Sequence, residues 1–229
     1  MTALPAWIRR LLGGPPSAPP APEAPRPVPR RADEVAAVEA ALARLLGAGL
    51  RLGAHYRGLS EGEAARRMAG HPAFAGEEDD LASRAPEALA LDILWSERGL
   101  DDGVEDEFDN AALLPDHVYD GAGPEDYADV LRRIAGLNAA WRDAPLTATA
   151  RGGAVHVSVA DGPPLVVPMA KDFDWSAVAR LGAGLPPGET RRFGVVADGG
   201  AALVVLLEPR QMRELERVLG WPPHALAES

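Results

Sequence analysis

Two hydrophobic periods divide this chain. From residue 32 the apolar positions recur every three or four residues: Val35, Val38, Leu42 and Leu45 share one helical face, with Asp33 and Glu34 in the first turn and Gly47 at the predicted end. Ser60-Glu61-Gly62-Glu63 reads as a capping box opening a short helix to about Ala69, with Leu59 and Ala64 in the staple positions. Residues 87–98 satisfy both periods. Leu89, Leu91, Ile93 and Trp95 alternate as in a strand, whereas Leu91, Leu94, Trp95 and Arg98 fit a helix; Pro86 and the length favour helix. Pro124 opens the clearest helix, along which Tyr127, Val130, Leu131, Ile134, Leu137 and Trp141 form one apolar stripe.

After Pro145 the period falls to two. Leu146–Ala150 and Ala154–Ala160 flank Arg151-Gly152-Gly153, a hairpin signal, and Val155, Val157 and Val159 face one way while His156 and Ser158 face the other. A turn at Asp161-Gly162-Pro163 leads to a strand at Leu165–Val167, and Asp174 is placed to cap a helix with Phe173 and Val178 as its staple. Arg191–Val196 and Ala201–Leu207 make a second hairpin around Asp198-Gly199-Gly200. The run 203–207 is apolar on both faces and is therefore predicted as a central strand. Pro209 opens a last helix through Met212, Leu215, Val218 and Leu219, closed by Gly220. The predicted class is α+β, a helical N-terminal half packed on an antiparallel sheet in the order β-β-β-α-β-β-α.

The first 31 residues obey neither period. Residues 4–12 (LPAWIRRLL) can form a short amphipathic foot with Trp7, Ile8, Leu11 and Leu12 on one face, and eight prolines between Pro15 and Pro29 then read as an extended linker. The organisation expected is residues 1–31 as foot and disordered linker, and 32–229 as a single domain, helix-rich over 32–144 and strand-rich over 145–229. The foot is a weak candidate for contact with a membrane surface or a partner. No apolar run approaches the roughly 18–20 residues of a membrane span.

Composition narrows the chemistry. The 229 residues contain no cysteine, which removes disulfides, thiolate metal sites and a Cys nucleophile, and fits a reducing cytoplasm of bacterial type. A net charge of −11 argues against nucleic acid as a partner, since phosphate neutralisation needs clustered Lys and Arg. The serines lack a nucleophile-elbow motif, no phosphate-cradling glycine motif occurs, and the five histidines form no H-x-H or H-x-x-x-H pair. Trp95, Trp141 and Trp175 sit among apolar helical positions, as core packing requires.

Charge distribution is the one feature that points towards function. Between Glu77 and Asp129 lie 18 Asp and Glu against Arg84 and Arg98, a net of −16, while the rest of the chain is balanced or slightly positive. A concentrated field selects a basic partner or a cation. The reading is a non-catalytic protein, for instance an immunity or inhibitor-type protein, that binds a basic protein partner through Asp101, Asp102, Glu105, Asp106, Glu107 and Asp109, with no cofactor. The alternative is a metal-dependent hydrolase using Asp106, Asp109, Asp116, His117 and Asp120 as ligands or base. Gly123-Pro124-Glu125-Asp126-Tyr127 with Val130-Leu131 is similar to the Pro-x-x-Tyr helix start of the SUKH immunity superfamily. Where that family closes the helix with Asn-Gly-Gly this chain has Leu137-Asn138-Ala139, which reduces the likeness to a Pro-capped amphipathic helix.

Overall fold

In the computed structural model, which describes residues 29–71, 80–95, 108–115, 124–142, 144–159, 162, 164–170, 173–198 and 201–228, the apolar run near the C-terminus organises everything else. That run is the last long strand of the chain. In order, the described elements are α1 (Ala32–Gly47), α2 (Glu61–Ala69), α3 (Pro86–Leu94), β1 (Ala111–Pro115), α4 (Pro124–Gly136), β2 (Leu146–Arg151), β3 (Ala154–Val159), β4 (Leu165–Pro168), α5 (Ser176–Gly182), β5 (Arg192–Asp198), β6 (Ala201–Leu207), α6 (Pro209–Val218) and β7 (Ala227–Glu228). The class is α+β, as expected. Residues 87–94 are helical, and residues 96–98 lie outside the described part.

Two antiparallel sheets form, one in the order β1-β6-β5-β7 and one in the order β2-β3-β4. All seven residues of β6 are buried because the strand has a partner on each side and a core on each face. Its pleat sends Leu203, Val205 and Leu207 into a cluster with α1, α2, α3 and α6, and Val204 and Leu206 into another with α4, α5 and the three-stranded sheet. Fully burying a large aliphatic side chain stabilises by about 1.5–3 kcal/mol, so these five residues alone are a principal anchor of the fold. Helices from both parts of the chain therefore pack on the two faces of one sheet, with a hydrophobic cluster on either side.

Strand β1 was not expected, and it brings the helical half into the sheet. Its residues pair with β6 from Ala111↔Val205 to Pro115↔Ala201. Five residues, apolar on both faces and framed by Asp109-Asn110 and Asp116, show no period of their own, so only the partner strand reveals them. Pro115 is tolerated because it ends an outer strand. Asn110, 2 % exposed, fixes the entry: its side chain accepts the Arg51 N–H (2.9 Å) and donates to the Gly49 carbonyl (3.0 Å).

Helix α1 ends at Gly47, as expected, and is closed two residues further on. Leu50 N–H donates to the Leu45 carbonyl and Gly49 N–H to the Leu46 carbonyl, a Schellman closure that needs the positive φ of Gly49 (98°). At its start, Arg30 and Arg31 are already part of the folded body. Arg30 Nε donates to the Ala69 carbonyl (3.1 Å), and its Nη1 lies 3.6 Å from Glu34, both side chains being buried. The Glu34 carboxylate accepts the Arg31 N–H (2.9 Å) and the Leu81 N–H (3.4 Å), and the first of these bonds, opposed by burial, holds its pKa below the usual range.

The second face is closed by similar ties. Tyr127 hydroxyl donates to the Ala170 carbonyl and accepts the Ala170 N–H (2.7 Å), while its ring stacks on Phe173. The β2–β3 hairpin turns at Gly152-Gly153, both with positive φ, as the sequence requires. Asp174, expected as the cap of α5, stands one residue before its N-cap Trp175 and accepts the Ser176 N–H at 3.1 Å.

Candidate binding surface

Of the residues carrying the functional expectation, the structure describes Asp109. Asp101, Asp102, Glu105, Asp106 and Glu107 of the partner-binding set, and Asp106, Asp116, His117 and Asp120 of the metal set, lie outside the described residues, as do Trp7, Ile8, Leu11 and Leu12 of the foot. Asp109 sits in the turn that starts β1. Its N–H donates to the Arg51 carbonyl at 2.8 Å, and its Oδ1 is 3.8 Å from Arg142 Nη2, which also donates to the Asp109 carbonyl at 3.5 Å. A carboxylate held against a guanidinium is a poor first ligand for a cation. Among the described residues no three His, Asp or Glu side chains come together in a metal-binding arrangement.

The same pattern extends along the acidic stretch. Asp80 pairs with Arg31 at 2.8 Å, Glu87 with Arg44 at 2.8 Å, Asp92 with Arg84 and Asp129 with Arg132. The Arg44 hydrogen bond holds the Glu87 carboxyl below its ordinary range. Exposed pairs of this kind contribute about 0–1 kcal/mol each to stability, so their main consequence is local cancellation of charge. Counting Arg142 opposite Asp109, four of the five arginines (Arg31, Arg44, Arg132 and Arg142) come from outside the acidic stretch, and a charge count along the sequence cannot show them.

Twelve further carboxylates of the stretch have side chains outside the described part. These are Glu77, Glu78, Asp79, Glu97, Asp101, Asp102, Glu105, Asp106, Glu107, Asp116, Asp120 and Glu125, and by sequence the segments 77–79, 97–107 and 116–125 that hold them contain one arginine, Arg98. Connectivity fixes where two of these segments attach. Residues 96–107 lead into the start of β1, and residues 116–123 leave its other end for α4. Five residues of strand span about 13 Å between their end Cα atoms. The Debye length is about 8 Å at physiological salt and about 30 Å at 0.01 M, so fields from the two attachment points overlap at low salt and decouple as salt rises.

His156 lies on the outer face of the small sheet opposite Thr149 and Val166 and is half-exposed, in line with a solvent-facing strand residue. A polar cluster that the sequence did not suggest ties the loop after α4 to the loop before β5. Glu189 accepts from Arg191 Nε (2.8 Å), Arg191 Nη2 (2.5 Å) and Asn138 Nδ2 (3.2 Å), and the Arg191 bonds, opposed by burial, lower its pKa to about 2. The nearest sequence signal is Glu189-Thr190-Arg191-Arg192 beside a turn, which many surface loops share. No family model matches the chain, and neither a curated protein nor a solved structure matches it.

Proposed function

We propose that this protein is a non-catalytic binding protein that engages a basic protein surface through the carboxylates of residues 97–107 and 116–125, and that it acts by masking that surface, as an immunity or inhibitor-type protein does. The observation that carries the reading is the selective cancellation of charge. Asp80, Glu87, Asp92, Asp109 and Asp129 each face an arginine within the fold, and nine other carboxylates of the stretch belong to the segments 97–107 and 116–125 that flank β1 in sequence. Such a concentration steers a cationic partner to one side of the molecule and raises its association rate at low salt.

The test uses a defined cationic probe, an arginine-rich peptide of about ten residues, titrated against the full chain at low and at physiological salt. Reversing Asp102, Glu105 and Glu107 to Lys should weaken binding far more than reversing Glu39, Glu61 and Glu214, which changes net charge equally at sites outside the stretch. Equal losses from the two triple variants would mean that bulk charge, not a localised surface, governs the interaction.

A further inference from the structure

Between α4, α5 and the three-stranded sheet the second hydrophobic cluster is not filled. Leu131 of α4, Trp141, Val157 and Val159 of β3, Leu165 of β4 and Leu181 of α5 wall a cavity of about 170 Å³, with Arg180, Gly162, Ala183 and Gly184 at its rim. Val157 and Leu131 form its buried floor, and Trp141, Val159 and Leu165 are half-exposed, so the space opens to solvent. The residues that wall it are apolar, and the rim carries one cation.

That cation is already neutralised. Arg180 Nη2 lies 3.0 Å from Asp174 Oδ2 and donates to the Val166 carbonyl, and Nη1 donates to Ser176 Oγ at 2.7 Å. Among the described residues, then, Arg180 is the one charged side chain that lines the space, and its guanidinium is paired with Asp174. An enclosed apolar cavity of about 150 Å³ is known to take up benzene, and the present space, although open on one side, has a similar volume. Selectivity follows from the same features: the lining offers a carboxylate no cation that is not already paired, and a long chain would exceed the volume.

We infer that this cavity is a binding site for an uncharged, ring-sized apolar ligand, a single aromatic ring or a bicycle no larger than indole. The site is separate from the acidic segments at the ends of β1, and its ligand class is set by size and neutrality alone.

Saturation-transfer NMR on the full chain with indole, indole-3-carboxylate and octanoate tests this. Indole should show saturable transfer, with the carboxylate and the fatty acid at least about tenfold weaker. Val159→Phe, which places a ring in the cavity mouth, should reduce indole transfer by at least about tenfold with an unchanged circular dichroism spectrum. If that variant does not fold, Leu165→Phe makes the same comparison. Equal transfer to all three probes, or indole transfer that survives filling, overturns the inference. So does indole binding that appears only after residues 1–13 are deleted, since the cavity would then be occupied by the chain's own apolar segment.

Discussion

Neutralising Glu189 gives the sharpest account of how the loops around the second cluster are held. Its carboxylate accepts four donors: Arg191 Nε, Arg191 Nη2, the Arg191 N–H (3.1 Å) and Asn138 Nδ2. Side-chain exposure of 15 % for Glu189 and 22 % for Arg191 leaves these bonds only partly screened by water. Bonding to the charged form lowers the folded-state pKa to about 2, so the folded protein takes up this proton less readily than the unfolded chain. Taken from an unfolded value near 4.3, that displacement corresponds to about 3 kcal/mol, and partial screening brings the expected figure to about 2 kcal/mol. Because the pKa is depressed, this stabilisation is fully present above the unfolded value and is lost as pH falls towards about 2. Glu189→Gln keeps the shape and an acceptor for Asn138 but removes the charge. Urea unfolding of both proteins should give a difference of about 2 kcal/mol at pH 7 that shrinks steadily below pH 4. A difference that does not change between pH 7 and pH 2.5 would refute the electrostatic reasoning and leave shape as the reason Glu189 is there.

Three further outcomes follow from named contacts. Gly49→Ala forces a side chain into a positive φ and against the Gln211 amide, and should lower stability by about 1–2 kcal/mol in the same urea assay. Tyr127→Phe leaves both the N–H and the carbonyl of Ala170 without the hydroxyl and should destabilise by about 1–3 kcal/mol, with circular dichroism unchanged before the transition. Isothermal titration with Mg²⁺, Ca²⁺ or Mn²⁺ at millimolar concentration should give no stoichiometric heat, because Asp109 is committed to Arg142; saturable binding abolished by Asp109→Asn would reinstate the metal-dependent reading.

The elements that announced themselves in the sequence are those whose own residues set a period. β6 is apolar at consecutive positions and could only be central, and α4 carries a stripe from Tyr127 to Leu137 that the second core buries. β1 and β7 were invisible because each is too short to alternate and is defined by what it pairs with, β6 for one and Gly194-Val195 of β5 for the other. The end of α1 at Gly47 was legible, whereas the residue that closes it, Gly49 with its positive φ, was not, because only backbone geometry tells the two glycines apart. The acidic stretch was legible as a count, but not as a field. Arg31 and Arg44 reach Asp80 and Glu87 across 49 and 43 residues, a relation that only the packing of α1 against α3 and the turn before it creates. The cavity was illegible for the same reason, since its walls come from α4, β3, β4 and α5 and no single segment shows a gap.

The most direct test of the proposed binding surface is the salt dependence of association. Stopped-flow mixing of the full chain with the arginine-rich peptide at 20 and 200 mM salt should show the rate constant falling by about tenfold or more for the native sequence. It should be nearly flat for the variant with Asp102, Glu105 and Glu107 reversed to Lys. A native rate that is insensitive to salt, or a reversed variant that keeps the native dependence, would contradict the account.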